Sequence, residues 1–235
     1  MGGDGRAPVD GRSRGSVLER ICHACIDALP ISGAAVSLMT ADGHRGVAVA
    51  TNDVARLIED AQFTTGEGPG VAAFEAGSAL LVPDLDGPRP SAEHAWPAFR
   101  EATSRLEVCA VFAFPLRLGA ASLGALTLYH VEVGDLKGAN LATAVRFADA
   151  ASFALLDFIA GISDRVEASP SSVSDAEYFR SEIYQAAGMV MEQLGVPIEV
   201  AMIRLRSHAF ATGRPTGDVA RDIVRRRLRF EEDND

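Results

Sequence analysis

Arginine side chains concentrated near the C-terminus are the residues of this sequence best suited to chemistry. Residues 201–230 hold eight arginines and only two acids, Asp218 and Asp222, a balance of +6, whereas the whole chain carries −10. An acidic body with one basic end is the asymmetry expected if that end meets nucleic acid phosphates. The alternative is that arginine only solvates helix surfaces, since the chain has a single lysine, Lys137.

RNA recognition needs cations for the phosphates and flat or amide side chains for unstacked bases. Arg206 and Arg214 stand near predicted helix junctions, where a loop of RNA could be gripped. Gln185 offers an amide and Tyr184 a ring for stacking. If the partner is RNA, the candidate binding residues are Arg180, Tyr184, Gln185, Arg206, Arg214 and Arg221.

Catalytic and metal sites are not predicted. None of the five histidines has a nucleophile or metal partner at a recognisable spacing. The run Cys22-His23-Ala24-Cys25 has the wrong order for haem attachment and lacks the second ligand pair of a zinc site. Three cysteines are also too few for a disulfide framework. We therefore expect no enzyme activity, no metal and no cofactor.

A glycine-rich segment reads Thr65-Gly66-Glu67-Gly68-Pro69-Gly70. Glycines before a helix can cradle a phosphate. The spacing here matches neither dinucleotide nor triphosphate motifs, and lysine is absent. The segment is therefore predicted to be a structural turn.

The first 162 residues alternate helical and strand patterns. We predict strands at 34–39, 46–50, 79–82, 108–118 and 122–130, and helices at 16–29, 52–60, 71–75, 96–105 and 141–162. Antiparallel strands with packed helices make an α+β fold. Predicted inward positions are Val17, Ile21, Cys25 and Leu29 on the first helix and Val145, Ala148, Phe153, Leu156 and Ile159 on the last.

Four aromatic rings could line a ligand pocket between the sheet and its helices: Trp96, Phe112, Phe114 and Tyr129. The alternative is that Phe112 and Phe114 belong to the hydrophobic core.

Three short helical patterns follow from residue 175 to residue 230. Apolar residues recur at three- and four-residue spacing in each, which predicts three amphipathic helices. Gly195 and Gly213 fit the left-handed residue that ends a helix, and Thr216 is predicted to cap the third. A unit of about 55 residues is near the lower limit for folding alone.

This C-terminal segment resembles the ANTAR domain, an RNA-binding module of bacterial antiterminators. The resemblance rests on Gln185-Ala186-x-Gly188-Met189, Leu205-Arg206-x-x-Ala209, Gly213-Arg214-Pro215 and Asp218-Val219-Ala220. It implies a small all-α domain that binds RNA hairpin loops and favours the antiterminated transcript. Ala187 departs from the lysine of many family members.

The N-terminal part resembles a GAF domain. The residues that carry the likeness are Thr65 to Gly70 and Leu81-Val82-x-Asp84, with the predicted hairpin of 111–115 and 124–128. GAF domains are sensors that bind small molecules or dimerise, so the resemblance implies an unknown small-molecule ligand.

The predicted organisation is a disordered tail of 1–15, a sensor of 16–162, a Ser-rich linker of 163–174, an RNA-binding domain of 175–230 and an acidic tail of 231–235. We expect no signal peptide and no membrane-spanning segment, because no apolar run approaches about 18 residues. A cytoplasmic homodimer is predicted.

Two other functions stay open. The C-terminal unit could be a helix-turn-helix that binds DNA, although its third helix has no Asn or Gln to read adenine edges. It could also serve only for dimerisation or for protein binding.

Overall fold

The computed structural model describes residues 16–40, 43–87, 96–168, 175–214 and 216–230. The side chains of residues 43–45, 161–168 and 175–181 lie outside this description. So do several predicted features: the tails of 1–15 and 231–235, the turn at Asp42, residues 169–174 of the linker and the side chain of Arg180.

Five antiparallel strands form one sheet, in the order β2-β1-β5-β4-β3. Their bounds are β1 Gly33–Thr40, β2 Gly43–Ala50, β3 Leu80–Val82, β4 Ala110–Leu118 and β5 Ala121–His130. The short β3 pairs only with residues 111–113, so Pro115 lies where β3 no longer covers the edge of β4. Proline is tolerated at such an edge because it has no amide hydrogen to donate.

Helices cover both faces of the sheet, which confirms the predicted α+β fold. One face carries α1 Val17–Ala28 and α5 Gly138–Ala168. The other carries α2 Asp53–Thr65, α3 Pro69–Ala76 and α4 Pro97–Thr103. Because successive strand residues point to opposite faces, the sheet contributes to two separate hydrophobic clusters.

The buried stripe of α5 differs from the predicted one. Ala144, Ala148, Ala151 and Leu155 are buried, whereas three predicted inner residues are exposed: Val145 at 42%, Phe153 at 65% and Leu156 at 47%. Small alanine side chains let the helix approach the sheet closely, so the large apolar residues beside them face outward. The same shift occurs on α1, where Leu18 and Cys22 are buried and Val17 is 51% exposed.

Three helices form the C-terminal unit: α6 Asp175–Leu194, α7 Ile198–Ala211 and α8 Thr216–Val224. Their apolar faces meet in one core that contains Ile183, Val190, Leu205 and Ile223. Gly195 and Gly213 adopt φ angles of 62° and 61°, as expected of left-handed residues that follow a helix.

Several element ends differ from prediction. The second helix, α2, continues to Thr65, and α5 continues to Ala168, into the stretch predicted as linker. The third helix of the C-terminal unit ends at Val224, and Arg226 adopts a φ of 58°. The arginines at 225–227 therefore lie in a turn after α8 and not on its surface.

Within the described segments, no single helix is long and apolar enough to cross a membrane. The stretches Glu182–Leu194 and Ile198–Ala211 reach that length and composition only as a pair, with a bend of 106° between them. Both contribute to the core of the C-terminal unit.

Candidate RNA-binding surface and the contact between the two units

Phe63, in the last turn of α2, packs into the core of the C-terminal unit. It is only 4% exposed and belongs to the hydrophobic cluster built by α6, α7 and α8. Its ring centroid lies 6.1 Å from that of Tyr184 on α6, with the ring planes tilted by 57°. The helical unit is therefore docked on the N-terminal domain, and Tyr184, a predicted stacking ring for RNA, is half-buried at the contact.

Arg206 reaches across from α7 to the end of α2. Its Nη2 donates a hydrogen bond of 2.8 Å to the carbonyl oxygen of Phe63, and its guanidinium carbon lies 5.8 Å from the centre of the Phe63 ring. Helix α2 has no basic residue in its own last turn. Arg206 thus supplies both a donor for a terminal carbonyl and a positive charge at the negative end of the helix dipole.

Burial lowers the pKa of Arg206 from its ordinary value, because the charged form loses hydration at the contact. Arginine nevertheless remains protonated in proteins. The positive charge lies against the Phe63 ring and carbonyl oxygen. The nearby Tyr184 raises the pKa of Arg206 and so opposes the effect of burial. An arginine predicted to grip RNA is therefore engaged within the chain in this arrangement.

Arg214 and Arg221 form ion pairs inside the helical unit. Arg214 Nη2 lies 2.6 Å from Asp222 Oδ2, and this hydrogen bond is the main cause that lowers the pKa of Asp222. Arg221 lies 2.9 Å from Asp218 and 3.6 Å from Glu182 of α6. Arg221 therefore links α8 to α6, a structural role that sequence reasoning did not assign to it.

Gln185 is exposed on α6, and the side chain of Arg180 lies outside the described part of the chain. The structure brings Tyr184 and Arg206 together around Phe63. Arg206 and Arg214 line one cleft at the domain contact. Of the five predicted RNA-binding residues with described side chains, Tyr184 and Arg206 are engaged at the domain contact, Arg214 and Arg221 form ion pairs, and Gln185 is exposed.

The predicted pocket of four aromatic rings does not form. Phe112 and Phe114 pack in the cluster under α1 and α5, whereas Trp96 and Tyr129 belong to the cluster on the opposite face of the sheet. All four rings are at most 5% exposed. The reason is the alternation of strand side chains: Tyr129 pairs with Val111, and Phe112 pairs with Leu128. The core interpretation of Phe112 and Phe114 fits this arrangement.

The polar groups of the glycine-rich segment form hydrogen bonds with other parts of the same chain. Glu67 Oε1 accepts hydrogen bonds from the amides of Ala98 and Phe99, at 2.7 and 3.0 Å, and so caps the start of α4. The Gly70 amide donates to Gln62 Oε1 at 2.6 Å.

Gln62 in turn connects to two further buried groups. Its Nε2 donates to Glu59 Oε1 at 2.8 Å, and Glu59 also accepts a hydrogen bond from Ser37. Because the Gly70 amide already donates to Gln62, the glycine-rich segment serves as a structural turn, as the sequence predicted.

Cys22 and Cys25 are fully buried, and burial raises the pKa of each thiol to about 12. Thiols held neutral are poor metal ligands. No group of three or more potential metal ligands occurs in the segments that the structure describes.

Sequence reasoning missed a cleft between the two units. It lies between the α2 end and α4 on one side and α7 and the start of α8 on the other, and its volume is about 980 Å³. Its lining includes Arg105, Ile203, Phe210 and Thr216. Phe210 and Ile203 are large apolar side chains that are 64% and 59% exposed. The signal available in the sequence was that these two large apolar residues lie outside the predicted core face of α7.

Comparison with protein families identifies both units. A GAF domain model matches residues 11–156, more than half of the chain, and an ANTAR domain model matches residues 179–224. The chain belongs to the GAF domain family and carries a C-terminal ANTAR domain. This architecture is typical of regulatory proteins, and it supports RNA and small molecules as the general kinds of partner.

Solved structures similar to this chain include several GAF domains. The cyanobacteriochrome TePixJ GAF domain is 16% identical, with a TM-score of 0.48, over 66% of this chain and 98% of that one. The GAF domain of a phosphoenolpyruvate-protein phosphotransferase from Coxiella burnetii is 15% identical, with a TM-score of 0.47, over 62% and 86%.

An enzyme also appears among the similar structures. The type II free methionine-R-sulfoxide reductase from Thermoplasma acidophilum is 10% identical, with a TM-score of 0.42, over 60% of this chain and 91% of that chain. Comparison with curated protein sequences finds no match.

Proposed function

We propose that this GAF-ANTAR protein binds RNA hairpin loops through its C-terminal domain and promotes transcription antitermination under control of the GAF domain. The observation that carries the proposal is the ANTAR match over residues 179–224, which includes all the predicted RNA-binding residues with described side chains. The +6 balance of residues 201–230 supplies the attraction to phosphates.

The docked arrangement suggests how control operates. Gln185 and Arg214 are exposed, whereas Arg206 is bonded to the Phe63 carbonyl of the GAF domain. That contact holds the guanidinium inside the cleft between the two domains, where a hairpin loop does not reach it. RNA binding through Arg206 therefore requires the end of α2 to release it, and a signal that moves α2 would change RNA affinity.

The test measures binding of the full chain to hairpin RNA copurified with the protein, as a function of salt. Arg214→Ala should weaken binding and flatten the log–log salt slope by about 0.7–0.9, because one phosphate contact is lost. Gln185→Ala should reduce discrimination between RNAs and leave the slope unchanged, as expected of a base contact. Arg227→Ala, exposed in the turn after α8, is the matched control.

Two outcomes would overturn the RNA proposal. If Arg214→Ala and Arg227→Ala gave the same slope, the site assignment would be wrong. If duplex DNA competed as well as the hairpin, the helix-turn-helix alternative would replace the RNA-binding function. Failure of both nucleic acids to bind would leave the protein-interaction alternative.

The homodimer also belongs to the proposal, and the exposed stripe of α5 supports it. Val145, Phe153 and Leu156 are large apolar side chains on one helix with 42–65% exposure. Burial of such residues against a second copy would remove apolar surface from water. Light scattering should give twice the chain mass of 24.8 kDa, and Phe153→Asp should give the monomer mass; a monomeric parent chain would exclude this interface.

The proposed boundary between the domains lies after α5. Limited proteolysis should cut between Ala168 and Asp175 before it cuts α5 at 148–156, because the Ser-rich sequence between the two helices offers few apolar anchors. Equal protection of both stretches would contradict the boundary.

A further inference from the structure

The cleft between the two domains has the size of a small-molecule site. Its volume of about 980 Å³ lies within the range that ligand pockets usually occupy, roughly 300–1,000 Å³. A cavity of this size accepts a small organic molecule but not an RNA hairpin loop. One wall belongs to the GAF domain and the other to the ANTAR domain, so the site exists only while the two are docked.

Positive charge predominates in the cleft. Arg105 enters from the GAF side, and Arg206 and Arg214 from the ANTAR side, against one lining acid, Glu101. Asp222 offsets part of the Arg214 charge through their ion pair. The remaining excess favours a ligand with a negative group.

Thr216 supplies an independent indication of a ligand. Its side-chain oxygen is buried, and no described residue provides a hydrogen-bond partner for it. An unpaired buried hydroxyl costs about 1–3 kcal/mol, so such groups are uncommon in folded proteins. Thr216 lines the cleft at the first turn of α8, where helix amide groups and the helix dipole favour an anion.

Apolar side chains form one wall of the cleft, and Thr64, Thr65, Ser104 and Ser207 add hydroxyl groups elsewhere in the lining. Ile203 and Phe210 project from α7 with 59% and 64% of their surface exposed, and Ala98 and Ala102 face them from α4. Exposed apolar side chains beside a charged pocket are stabilised when an apolar body covers them. The cleft therefore combines one positively charged end with an apolar wall.

We propose that this cleft binds a small organic anion, with a phosphate or carboxylate group at Thr216, Arg105 and Arg214 and an apolar body against Ile203 and Phe210. Because the ligand contacts both domains, it stabilises the docked arrangement in which Arg206 is engaged. By thermodynamic linkage, a ligand that favours this arrangement lowers RNA affinity, and RNA lowers ligand affinity by the same factor. The coupling rests on the proposed RNA-binding function; the binding site does not.

The binding test is a calorimetric titration of the full chain with phenyl phosphate. A titration with inorganic phosphate serves for comparison. Phenyl phosphate should bind saturably and more tightly than inorganic phosphate, because only the former covers the apolar wall. Arg105→Ala should raise its Kd about fivefold or more, since a hydrogen bond to a charged group is lost. Arg56→Ala, an exposed arginine of α2 outside the cleft lining, should leave the Kd unchanged.

Thr216→Val separates a ligand contact from a structural role. Removal of an unsatisfied hydroxyl should leave the thermal midpoint unchanged or raise it, while the Kd for phenyl phosphate rises about fivefold. A fall in the midpoint would instead show that the hydroxyl is satisfied within the fold. That result would overturn its assignment to the ligand.

Three outcomes would overturn parts of the proposal. Absence of saturable binding up to about 10 mM phenyl phosphate, a concentration that would detect even weak sites, would exclude the site. So would equal Kd values for Arg105→Ala and Arg56→Ala. Binding that passes both tests but leaves RNA affinity unchanged would overturn the coupling alone, and lack of RNA binding at any phenyl phosphate concentration would count against the proposed function instead.

Discussion

The two domains complete their cores in different ways. Both hydrophobic clusters of the GAF domain consist entirely of residues from the N-terminal part of the chain. The ANTAR core instead includes Phe63 from the GAF domain among its buried residues. The larger domain is therefore self-sufficient, whereas the smaller one is stabilised in part by its neighbour.

This difference teaches that docking and folding are linked in the ANTAR domain. A three-helix unit of about 55 residues buries a modest fraction of its surface and has little stability to spare. Loss of the Phe63 contact should therefore lower the stability of the ANTAR helices and also weaken their contact with the GAF domain. Loss of an interface contact should therefore destabilise the ANTAR helices and leave the GAF sheet largely unchanged.

The largest effect is expected for Phe63→Ala. Truncation of a buried phenylalanine costs about 3–5 kcal/mol, and here the loss should fall on the docked ANTAR helices. Urea denaturation with hydrogen exchange should show faster exchange in α6–α8 and little change in the sheet. Leu57→Ala, a truncation of an apolar side chain of the same helix that is 49% exposed, is the control; equal losses in α6–α8 and the sheet would break the comparison.

A smaller effect is expected for Arg206→Met, which keeps the aliphatic stem and removes the guanidinium. The Phe63 carbonyl loses its donor, so docking should weaken by about 1–3 kcal/mol. The same change made at Arg225, exposed after α8, should lie within about 0.5 kcal/mol of the parent chain. Identical thermal midpoints for the two variants would show that Arg206 adds nothing to docking.

The next effect concerns pH and belongs to the GAF interior. The pKa of the Cys22 thiol is raised to about 12 from an ordinary 9.0. As pH rises, the thiol therefore loses its proton in the unfolded state before it does so in the folded state. The contribution of Cys22 to stability is therefore complete below pH 9.0 and decreases as pH rises from there toward 12. The decrease should be about 1.4 kcal/mol per pH unit.

Guanidinium denaturation between pH 8 and pH 10 checks this expectation. Cys22→Ala should flatten the decline in stability, which isolates this thiol from other groups that titrate. Thiol alkylation gives a second readout: Cys109, which is partly exposed, should react before Cys22 in the folded chain. Rapid labelling of Cys22 would show that the GAF core opens more readily than its packing indicates.

The smallest effect is expected for Glu67→Ala. Loss of the carboxylate that accepts the Ala98 and Phe99 amides should cost about 1 kcal/mol, as for other helix caps. Thermal unfolding measures the change, and Glu75→Ala, exposed on α3, provides the matched control. A loss as large as that of Phe63→Ala would mean that this internal cap also holds the domain contact.

Local features of the sequence predicted much of this structure. The three- and four-residue spacing of Ile183, Ala186 and Val190 placed the core face of α6 correctly, because helix periodicity is a local property. The pairing of β1 with β2 and of β4 with β5 also agreed with the two predicted hairpins, and Cys25 is buried as the helix pattern predicted. The family resemblance added the general class of function, a sensor-linked RNA-binding regulator, which periodicity alone could not give.

Long-range contacts limited the prediction of the site. Arg206 carries no sequence sign that its partner is a carbonyl 143 positions earlier in the chain. The aromatic pocket was wrong because the register that separates Tyr129 from Phe112 depends on strand pairing. On α5, hydrophobicity favoured Phe153 over Ala151, but close packing against the sheet selected the smaller side chain.

Gly66 shows how one position can come under two kinds of selection. It ends α2 with a φ of 72°, and a side chain there would meet the Arg206 guanidinium at 2.7 Å. Asparagine tolerates the same backbone angle but would obstruct the arginine. A GAF domain without an ANTAR partner could therefore exchange this glycine for asparagine freely, whereas in the docked chain the same exchange would have to displace the Arg206 guanidinium from the Phe63 carbonyl.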